Sequence, residues 1–375
     1  MSRPLCLAAL LALVGCLPPL QQDGKDEADS GLDVDEDDDG GTGGEDGSDT
    51  TGGGDGADSG SGTGGGSGAG TTGSGGSGTG SGDDGGDVGG TGGGDDAGGD
   101  DGSSGGSDGG GTGVGPDYGS AGGLSVATTT GSASVGGGCT LDYTTFTPRS
   151  GALGVRVIMA HGFLRSPANM ADWAQHLASW GFEVVTPALC HSNIFDTNHV
   201  QNGADMIALH ASLGGGDVIY VGQSAGGLSA FLAGGDDARA LGVVGLDATD
   251  DFFSAGAAAA SGVALPVFGI VGEASTCNSS ANFVTAFQAA PDSTILRVNE
   301  SEHCDYEAPT DFGCTALCTV ANPTHTDAEL RHAIGGLMTS AAISVSGDPS
   351  AEADWWAPGG RYYDDLDAVG MLQPL

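Results

Sequence analysis

Short runs of apolar residues alternate with amphipathic stretches over the C-terminal part of the chain. The apolar runs predict six strands buried on both faces, at residues 155–160, 182–186, 217–221, 241–246, 266–271 and 294–298. The stretches between and after them predict helices, at residues 166–180, 203–213, 225–233, 279–289 and 327–343. This alternation predicts an α/β fold, a doubly wound and mostly parallel sheet with helices on both faces.

The chain before residue 139 has a different pattern. Residues 21–138 consist almost entirely of Gly, Ser, Thr, Asp and Ala, without apolar periodicity. Such a composition cannot bury enough surface to offset the conformational entropy that folding removes. We therefore predict a long disordered, acidic linker over residues 16–138 and one folded α/β domain over residues 139–375.

The first residues predict export. Residues 1–15 hold one basic residue, Arg3, and an apolar run too short to span a bilayer, which is typical of a signal peptide. Residues 13–16 resemble the lipobox of bacterial lipoproteins, in which Cys16 would be acylated and would anchor the chain to a membrane. An ordinary cleaved signal peptide is the alternative. Because Leu17 is not the Asp that retains many lipoproteins at an inner membrane, an outer-membrane or cell-surface location is favoured.

The charge balance excludes some functions. The formal net charge is −41, and few Lys or Arg residues are present to neutralise phosphates, so we expect no nucleic-acid partner. The acidity favours solubility and self-repulsion. We also expect no cofactor and no metal, because the chain lacks a phosphate-cradling loop with a partner Lys and lacks a cluster of metal ligands.

The predicted domain contains an even number of cysteines, which in an exported protein favours disulfide bonds. They are Cys139, Cys190, Cys277, Cys304, Cys314 and Cys318. Their pairing is left open by the sequence, although Cys314 and Cys318 are close enough to pair with each other. Zinc binding is the competing interpretation, but the spacings do not form paired Cys-x-x-Cys motifs.

A Gly-x-Ser-x-Gly sequence follows one of the predicted strands. Gly222, Ser224 and Gly226 lie between the strand that ends at Val221 and a predicted helix, which is the context of a nucleophile elbow. The turn is tight enough that a side chain at either glycine would collide with the neighbouring strand or helix. The sequence therefore predicts Ser224 as a nucleophile.

A serine nucleophile needs a base and an oxyanion hole. His303 follows the predicted strand that ends at Val298, and a late loop is where the chain order Ser, acid, His places the base. His325 and His332 also lie late in the chain, but they follow a cysteine-rich loop and lie at or on the last predicted helix. Neither position directly follows a predicted strand, as the base should. We expect the backbone N–H groups of Phe163 and Ala225 to stabilise the oxyanion.

His161, two residues before Phe163, is expected to hold its loop rather than to take part in catalysis.

Two strand ends offer an acid to orient His303. Asp247 ends the strand at 241–246, and Glu273 follows the strand at 266–271. A carboxylate at either position could stabilise the cationic form of the histidine. The residues alone leave both candidates open.

Several segments together resemble the chlorophyllase family, over about residues 155–305. They are residues 161–166, 177–182, 185–190, the elbow, 245–250, 266–272 and 303–305. The resemblance implies an α/β-hydrolase fold, ester hydrolysis, and an acid on the Gly-Leu-Asp segment, which favours Asp247 over Glu273. The same framework is similar to cutinase-like polyester hydrolases of bacteria, in which the acid lies on the later strand. Gln223 and Ala225 depart from the His and Arg that flank the serine in chlorophyllases, so chlorophyll is not expected as the substrate.

These features predict a lipid-anchored serine hydrolase that cleaves carboxylic esters through an acyl-enzyme, with a small or polymeric ester as substrate. The alternatives are a cutinase-like hydrolase of polyesters or lipids, and a catalytically inert surface binding protein with the same fold.

Overall fold

The computed structural model describes residues 115–316, 318 and 323–375. The predicted signal peptide, the lipidation site at Cys16 and most of the predicted linker lie outside these residues. Among the helices that the structure does describe, none is both long enough and apolar enough to cross a bilayer.

The described chain forms a mixed, mostly parallel sheet of nine strands, and a separate two-stranded hairpin. The strands are β1 (Val126–Gly136), β2 (Cys139–Pro148), β3 (Arg156–Ala160), β4 (Glu183–Pro187), β5 (Ser192–Asn193), β6 (Asp196–Thr197), β7 (Val218–Gln223), β8 (Ala240–Leu246), β9 (Val267–Val271), β10 (Ser293–Val298) and β11 (Leu372–Pro374). The order in the sheet is β1-β2-β4-β3-β7-β8-β9-β10-β11, and β5 pairs with β6. The six strands from β4 to β10 in this order are parallel, and the strands at both ends are antiparallel.

Helices cover both faces of the sheet. They are α1 (Ala171–Ser179), α2 (His199–Ser212), α3 (Ala225–Asp236), α4 (Ala255–Ala259), α5 (Val284–Ala289), α6 (Phe312–Thr315), α7 (Asp327–Val345), α8 (Ser350–Trp355) and α9 (Arg361–Ala368). Single 3-10 turns occupy Pro167–Met170, Ala260–Gly262 and His303–Tyr306. Each of the six predicted strands is present with small shifts at its ends, so the predicted α/β architecture is confirmed at this level.

Alternating strand residues supply two separate cores. Val157 and Met159 of β3 pack with Leu337 of α7 on one face. Ile158 of the same strand packs with Leu228 of α3 on the other face. Because successive side chains of a strand point to opposite faces, the apolar run of β3 is explained by burial on both sides.

The predicted boundary between linker and folded domain, at residue 138, is wrong because β1 precedes it. This strand lies inside the stretch assigned to the linker, and it pairs with β2 from Val126↔Pro148 to Gly136↔Cys139. All of its side chains are exposed or half-buried. As an edge strand that is only partly buried, β1 can be built from Thr, Ser, Gly and Ala, which is why its composition resembles that of the predicted linker.

Three predicted helices begin at other residues than expected, and the one predicted over 279–289 begins only at Val284, as α5. The stretch 166–180 divides into a 3-10 turn and α1. Helix α2 begins at His199 rather than 203, because Asn198 caps it by accepting a hydrogen bond from the N–H of Gln201. The predicted cap of α7 is present, since the Thr326 side chain accepts from the N–H of Glu329.

The disulfides pair Cys139 with Cys190, Cys277 with Cys318 and Cys304 with Cys314. The local pair that the spacing of Cys314 and Cys318 allowed does not form. The sulfur atoms of Cys304, Cys314 and Cys318 lie within 4.8 Å of one another, but all three belong to disulfides and are not thiolate ligands. Two of the three bonds fasten loops that leave the carboxyl ends of β9 and β10.

Candidate active site

Ser224 occupies a sharp turn between β7 and α3. Its φ of 56° and ψ of −128° form a conformation that residues with a side chain rarely adopt. The N–H groups of Gly227 and Thr249 both donate to its carbonyl oxygen, at 2.9 and 3.0 Å. The turn thus holds the serine side chain at the carboxyl edge of the sheet, at the N-terminus of α3.

The two glycines of the elbow are required by close backbone contacts. A Cβ atom on Gly222 would lie 2.2 Å from the carbonyl oxygen of Gly226. A Cβ atom on Gly226 would lie 2.4 Å from the carbonyl oxygen of His161, in the loop after β3. Neither backbone atom can move without shifting a strand or helix, so the predicted reason for both glycines is confirmed.

His303 lies between Ser224 and Asp247. Its Nε2 atom is 2.9 Å from the Ser224 Oγ atom, and its Nδ1 atom is 2.5 Å from the Asp247 Oδ2 atom. Asp247 is fully buried and His303 is almost fully buried. In this arrangement Nδ1–H donates to the carboxylate, which leaves Nε2 free to accept the serine proton.

Asp247 is held by the loop that follows β9. The N–H of Gly272 donates to its Oδ1 atom at 2.9 Å, and the Asn278 side-chain amide donates to both of its carboxylate oxygens at 3.2 Å. Asn278 is itself fully buried. The carboxylate therefore has little freedom to rotate away from His303. Asn278 was not predicted from the sequence, since no motif surrounds it.

Glu273, the alternative acid, is placed elsewhere by the structure. Its Oε1 atom accepts from the N–H of Glu300 at 3.2 Å, and its own N–H donates to the carbonyl of Ser301. No hydrogen bond joins its carboxylate to His303 among the described residues. Of the two carboxylates that the residues left open, Asp247 is the one that the fold brings to the histidine.

The predicted oxyanion donors lie beside the serine. A Cβ atom on Gly162 would be 3.0 Å from the Ser224 Cβ atom, so the loop that carries Phe163 is in van der Waals contact with the serine. Ala225 is the first residue of α3. Within the described chain, neither the Phe163 N–H nor the Ala225 N–H donates a hydrogen bond to another residue. Two unused backbone donors next to Ser224 are what an oxyanion hole requires.

His161 holds its loop in the predicted way. Its Nδ1 atom is 2.9 Å from the Gly162 carbonyl oxygen, and its Nε2 atom accepts from the N–H of Leu189 at 3.1 Å. Burial lowers the pKa of His161 to about 4. The neutral ring therefore links the loop after β3 to the loop after β4.

A buried ion pair joins the Phe163 loop to the histidine loop. The Arg165 guanidinium donates through Nε and one terminal nitrogen to both carboxylate oxygens of Glu307, and it lies 3.1 Å from Asp311. Burial raises the pKa of Glu307, and pairing with Arg165 opposes that effect. The pair fixes the distance between the two loops on either side of the serine.

Two further residues support His303 in roles that the sequence did not predict, although Asp305 belongs to the segment 303–305 that carries the family resemblance. The side-chain amide nitrogen of Gln223 lies 3.4 Å from the His303 carbonyl oxygen and 3.3 Å from its Nε2 atom. Asp305 accepts from the N–H of Glu302 at 2.7 Å and so caps the 3-10 turn that carries the histidine. Gln223 thus contacts the imidazole and the backbone of His303, whereas Asp305 stabilises the turn that carries it.

No protein-family model and no curated protein sequence matches this chain. The interpretation of the site therefore depends on its own geometry. A serine, a histidine and a buried carboxylate are linked by two hydrogen bonds beside two unused backbone donors, and this arrangement can activate a hydroxyl and stabilise an oxyanion.

Proposed function

We propose that this chain is a serine hydrolase of the α/β-hydrolase type that cleaves carboxylic esters through an acyl-enzyme. The observation that carries the proposal is the hydrogen-bonded series Ser224–His303–Asp247 on an elbow at the carboxyl edge of the sheet. The parallel strand order and the chain order Ser, Asp, His support the same class.

Each group has a role in the proposed reaction. Ser224 attacks the ester carbonyl while His303 takes its proton, and the N–H groups of Phe163 and Ala225 stabilise the oxyanion. The protonated histidine then gives its proton to the leaving alcohol, which leaves an ester on Ser224. Water attacks that acyl-enzyme with His303 again as base, and Ser224 is regenerated. Asp247 keeps the imidazole in the tautomer that both steps need.

The proposed cellular location depends on residues 1–17 alone. Export, acylation at Cys16 and an outer-membrane or cell-surface site are supported by the apolar run and the lipobox-like residues 13–16. A membrane is then a partner only through the acyl chains.

A serine-directed fluorophosphonate probe tests the enzyme proposal. We expect the wild-type chain to be labelled and to hydrolyse p-nitrophenyl butyrate. Ser224→Ala should lose the label and lower kcat by several orders of magnitude, roughly 10⁴ or more, with an unchanged melting temperature.

Ser229→Ala is the matched control, because Ser229 lies buried on α3 with its hydroxyl bonded to the His199 carbonyl. It should keep both label and turnover. A wild-type chain that neither labels nor hydrolyses any ester would favour the inert binding protein instead.

A further inference from the structure

Exposed phenylalanine side chains are concentrated around Ser224. Phe195 is 92% exposed, Phe252 is 90%, Phe253 is 84% and Phe312 is 86%. All four lie on loops or at a helix start that follow the carboxyl ends of strands, which is the edge that carries the serine. Together with the exposed Leu164 they form what we call the rim cluster.

Two members of the rim cluster are tied to the loop that carries Phe163. The N–H of Leu164 donates to the carbonyl of Ser192, in the β5–β6 hairpin that presents Phe195. Phe312 follows Asp311, whose carboxylate pairs with Arg165 in the same loop. Both aromatic groups therefore lie at the border of the site.

Phe252 and Phe253 extend the rim cluster to a third loop beside the site. They follow Asp247 in the loop after β8 and pack edge to face with each other. Burial lowers the pKa of His199 and the nearby Asp251 carboxylate opposes that effect, and the His199 ring packs edge to face on Phe163. The rim cluster thus surrounds the serine on the loops after β3, β4, β8 and β10.

Three of the four exposed rings have a carboxylate as a sequence neighbour. Asp196 follows Phe195, Asp251 precedes Phe252, and Asp311 precedes Phe312. Two rim clusters from separate copies would bring these carboxylates together, which opposes dimerisation through this surface. An anionic surface is repelled for the same reason. An uncharged apolar surface can bury the rings without meeting the same repulsion.

Residues 40–113 lack the apolar side chains that could cover the rings. Between residues 40 and 113, Val88 is the single apolar residue larger than alanine. Such a segment has little apolar area with which to bury four phenylalanine rings. Residues 40–113 are therefore not the occupant of the rim cluster.

We propose that the rim cluster docks on the surface of a water-insoluble, uncharged ester aggregate and delivers single ester groups from it to Ser224. This inference depends on the proposed ester hydrolysis and adds the physical state and charge of the substrate to it. The rings anchor the edge of the site at the interface, while the adjacent carboxylates exclude anionic surfaces.

Flotation with a neutral triolein emulsion tests the proposal, using the chain from residue 16 onward with Cys16→Ala so that neither the apolar leader nor an acyl chain contributes. We expect the reference chain to float with the droplets and to bind anionic phosphatidylglycerol vesicles much less. Phe252→Ser/Phe253→Ser and Phe195→Ser should each reduce the floating fraction, and the double variant should do so by about ten-fold. The ratio of tributyrin-emulsion turnover to p-nitrophenyl acetate turnover should fall with it.

Leu153→Ser and Val369→Ser are the matched controls, because both residues are exposed and apolar but belong to other parts of the surface. They should float like the reference. Rim variants that float equally well, or preferential binding to the anionic vesicles, would overturn the proposal even if esters are hydrolysed. A dimer in light scattering that the rim variants dissociate would assign the cluster to a second copy instead. Loss of turnover on every ester with flotation retained would contradict the proposed function and not the docking.

Discussion

At the scale of single residues, the site depends on how Asp247 is held. Its Oδ2 atom faces His303, while Gly272 and Asn278 donate to the carboxylate from the loop after β9. Each of these partners is a donor, so the acid must accept at both oxygens. An amide at this position would place an NH₂ group against one of those donors.

Asp247→Asn is therefore expected to lower kcat by roughly 10⁴ with the fold retained, because the amide favours the wrong imidazole tautomer. The measurement is kcat on a soluble ester together with the melting temperature. Glu273→Gln is the comparison, and it should cost far less because Glu273 bonds to the N–H of Glu300. If Glu273→Gln lost most of its kcat while Asp247→Asn kept nearly normal kcat, Glu273 would be the acid that orients His303.

The sequence predicted some residues of the site better than others. Ser224 and His303 followed from a motif and from chain order, because few other positions fit them. Asp247 and Glu273 could not be separated by residue pattern, since both follow a strand and the choice depends on side-chain direction. Asn278 could not be found at all, because its role arises from a loop conformation that no local pattern encodes.

At the scale of elements, the loop after β3 connects the parts of the site. His161 fastens it to Leu189, Leu164 bonds to the β5–β6 hairpin, and Arg165 bonds to Glu307. The Leu189 N–H points at the Nε2 atom of His161, so a proton on Nε2 would meet another donor. The loop is therefore built around a neutral imidazole.

This geometry predicts a pH dependence of stability. The pKa of His161 is lowered by burial from 6.5 to about 4, so the unfolded chain binds more protons than the folded chain between these values. The stability that the neutral ring contributes is present above pH 6.5 and is lost as the pH falls towards 4. Its full loss amounts to about 3 kcal/mol.

Urea denaturation of wild type and His161→Gln at pH 7, 5.5 and 4.5 isolates this contribution, because the other titrating groups are common to both chains. The difference in unfolding free energy should narrow as the pH falls. A difference that stays constant with pH would show that His161 does not titrate on unfolding.

Composition predicted the buried strands of the sheet but not its exposed edge strand. The six apolar runs were predictable because burial on both faces demands continuous Val, Ile and Leu. The edge strand β1 was missed because its exposed side chains remove that demand, and its Thr, Ser and Gly residues continue the composition of the preceding stretch. The disulfide pairs were also beyond the sequence, since they depend on which loops meet at the carboxyl edge.

At the scale of the whole molecule, the described core lies within residues 115–375. Deleting residues 31–110 should therefore leave the melting temperature and the turnover of a soluble ester unchanged, as the composition of that stretch predicts. Thermal unfolding and kcat of the two chains make the comparison.

Extending the same deletion through residue 138 is the informative contrast. It removes β1 and its pairing with β2, and it should lower the melting temperature clearly. Equal stability of the two deletions would mean that β1 contributes nothing to the fold. A large loss from the shorter deletion would show that residues 31–110 include a folded module.

The place where residues 115–136 attach to the folded domain determines where a pulling force on the N-terminal segment would act. The force would act first on Gly115, whose carbonyl oxygen accepts a hydrogen bond from the Tyr362 hydroxyl. It would act next on Asp117, which pairs with His332. It then reaches β1, at one end of the sheet. Strands β2, β4 and β3 lie between β1 and β7, the strand that leads to Ser224. Peeling β1 from β2 would therefore break hydrogen bonds at the edge of the sheet, with three strands between that edge and β7.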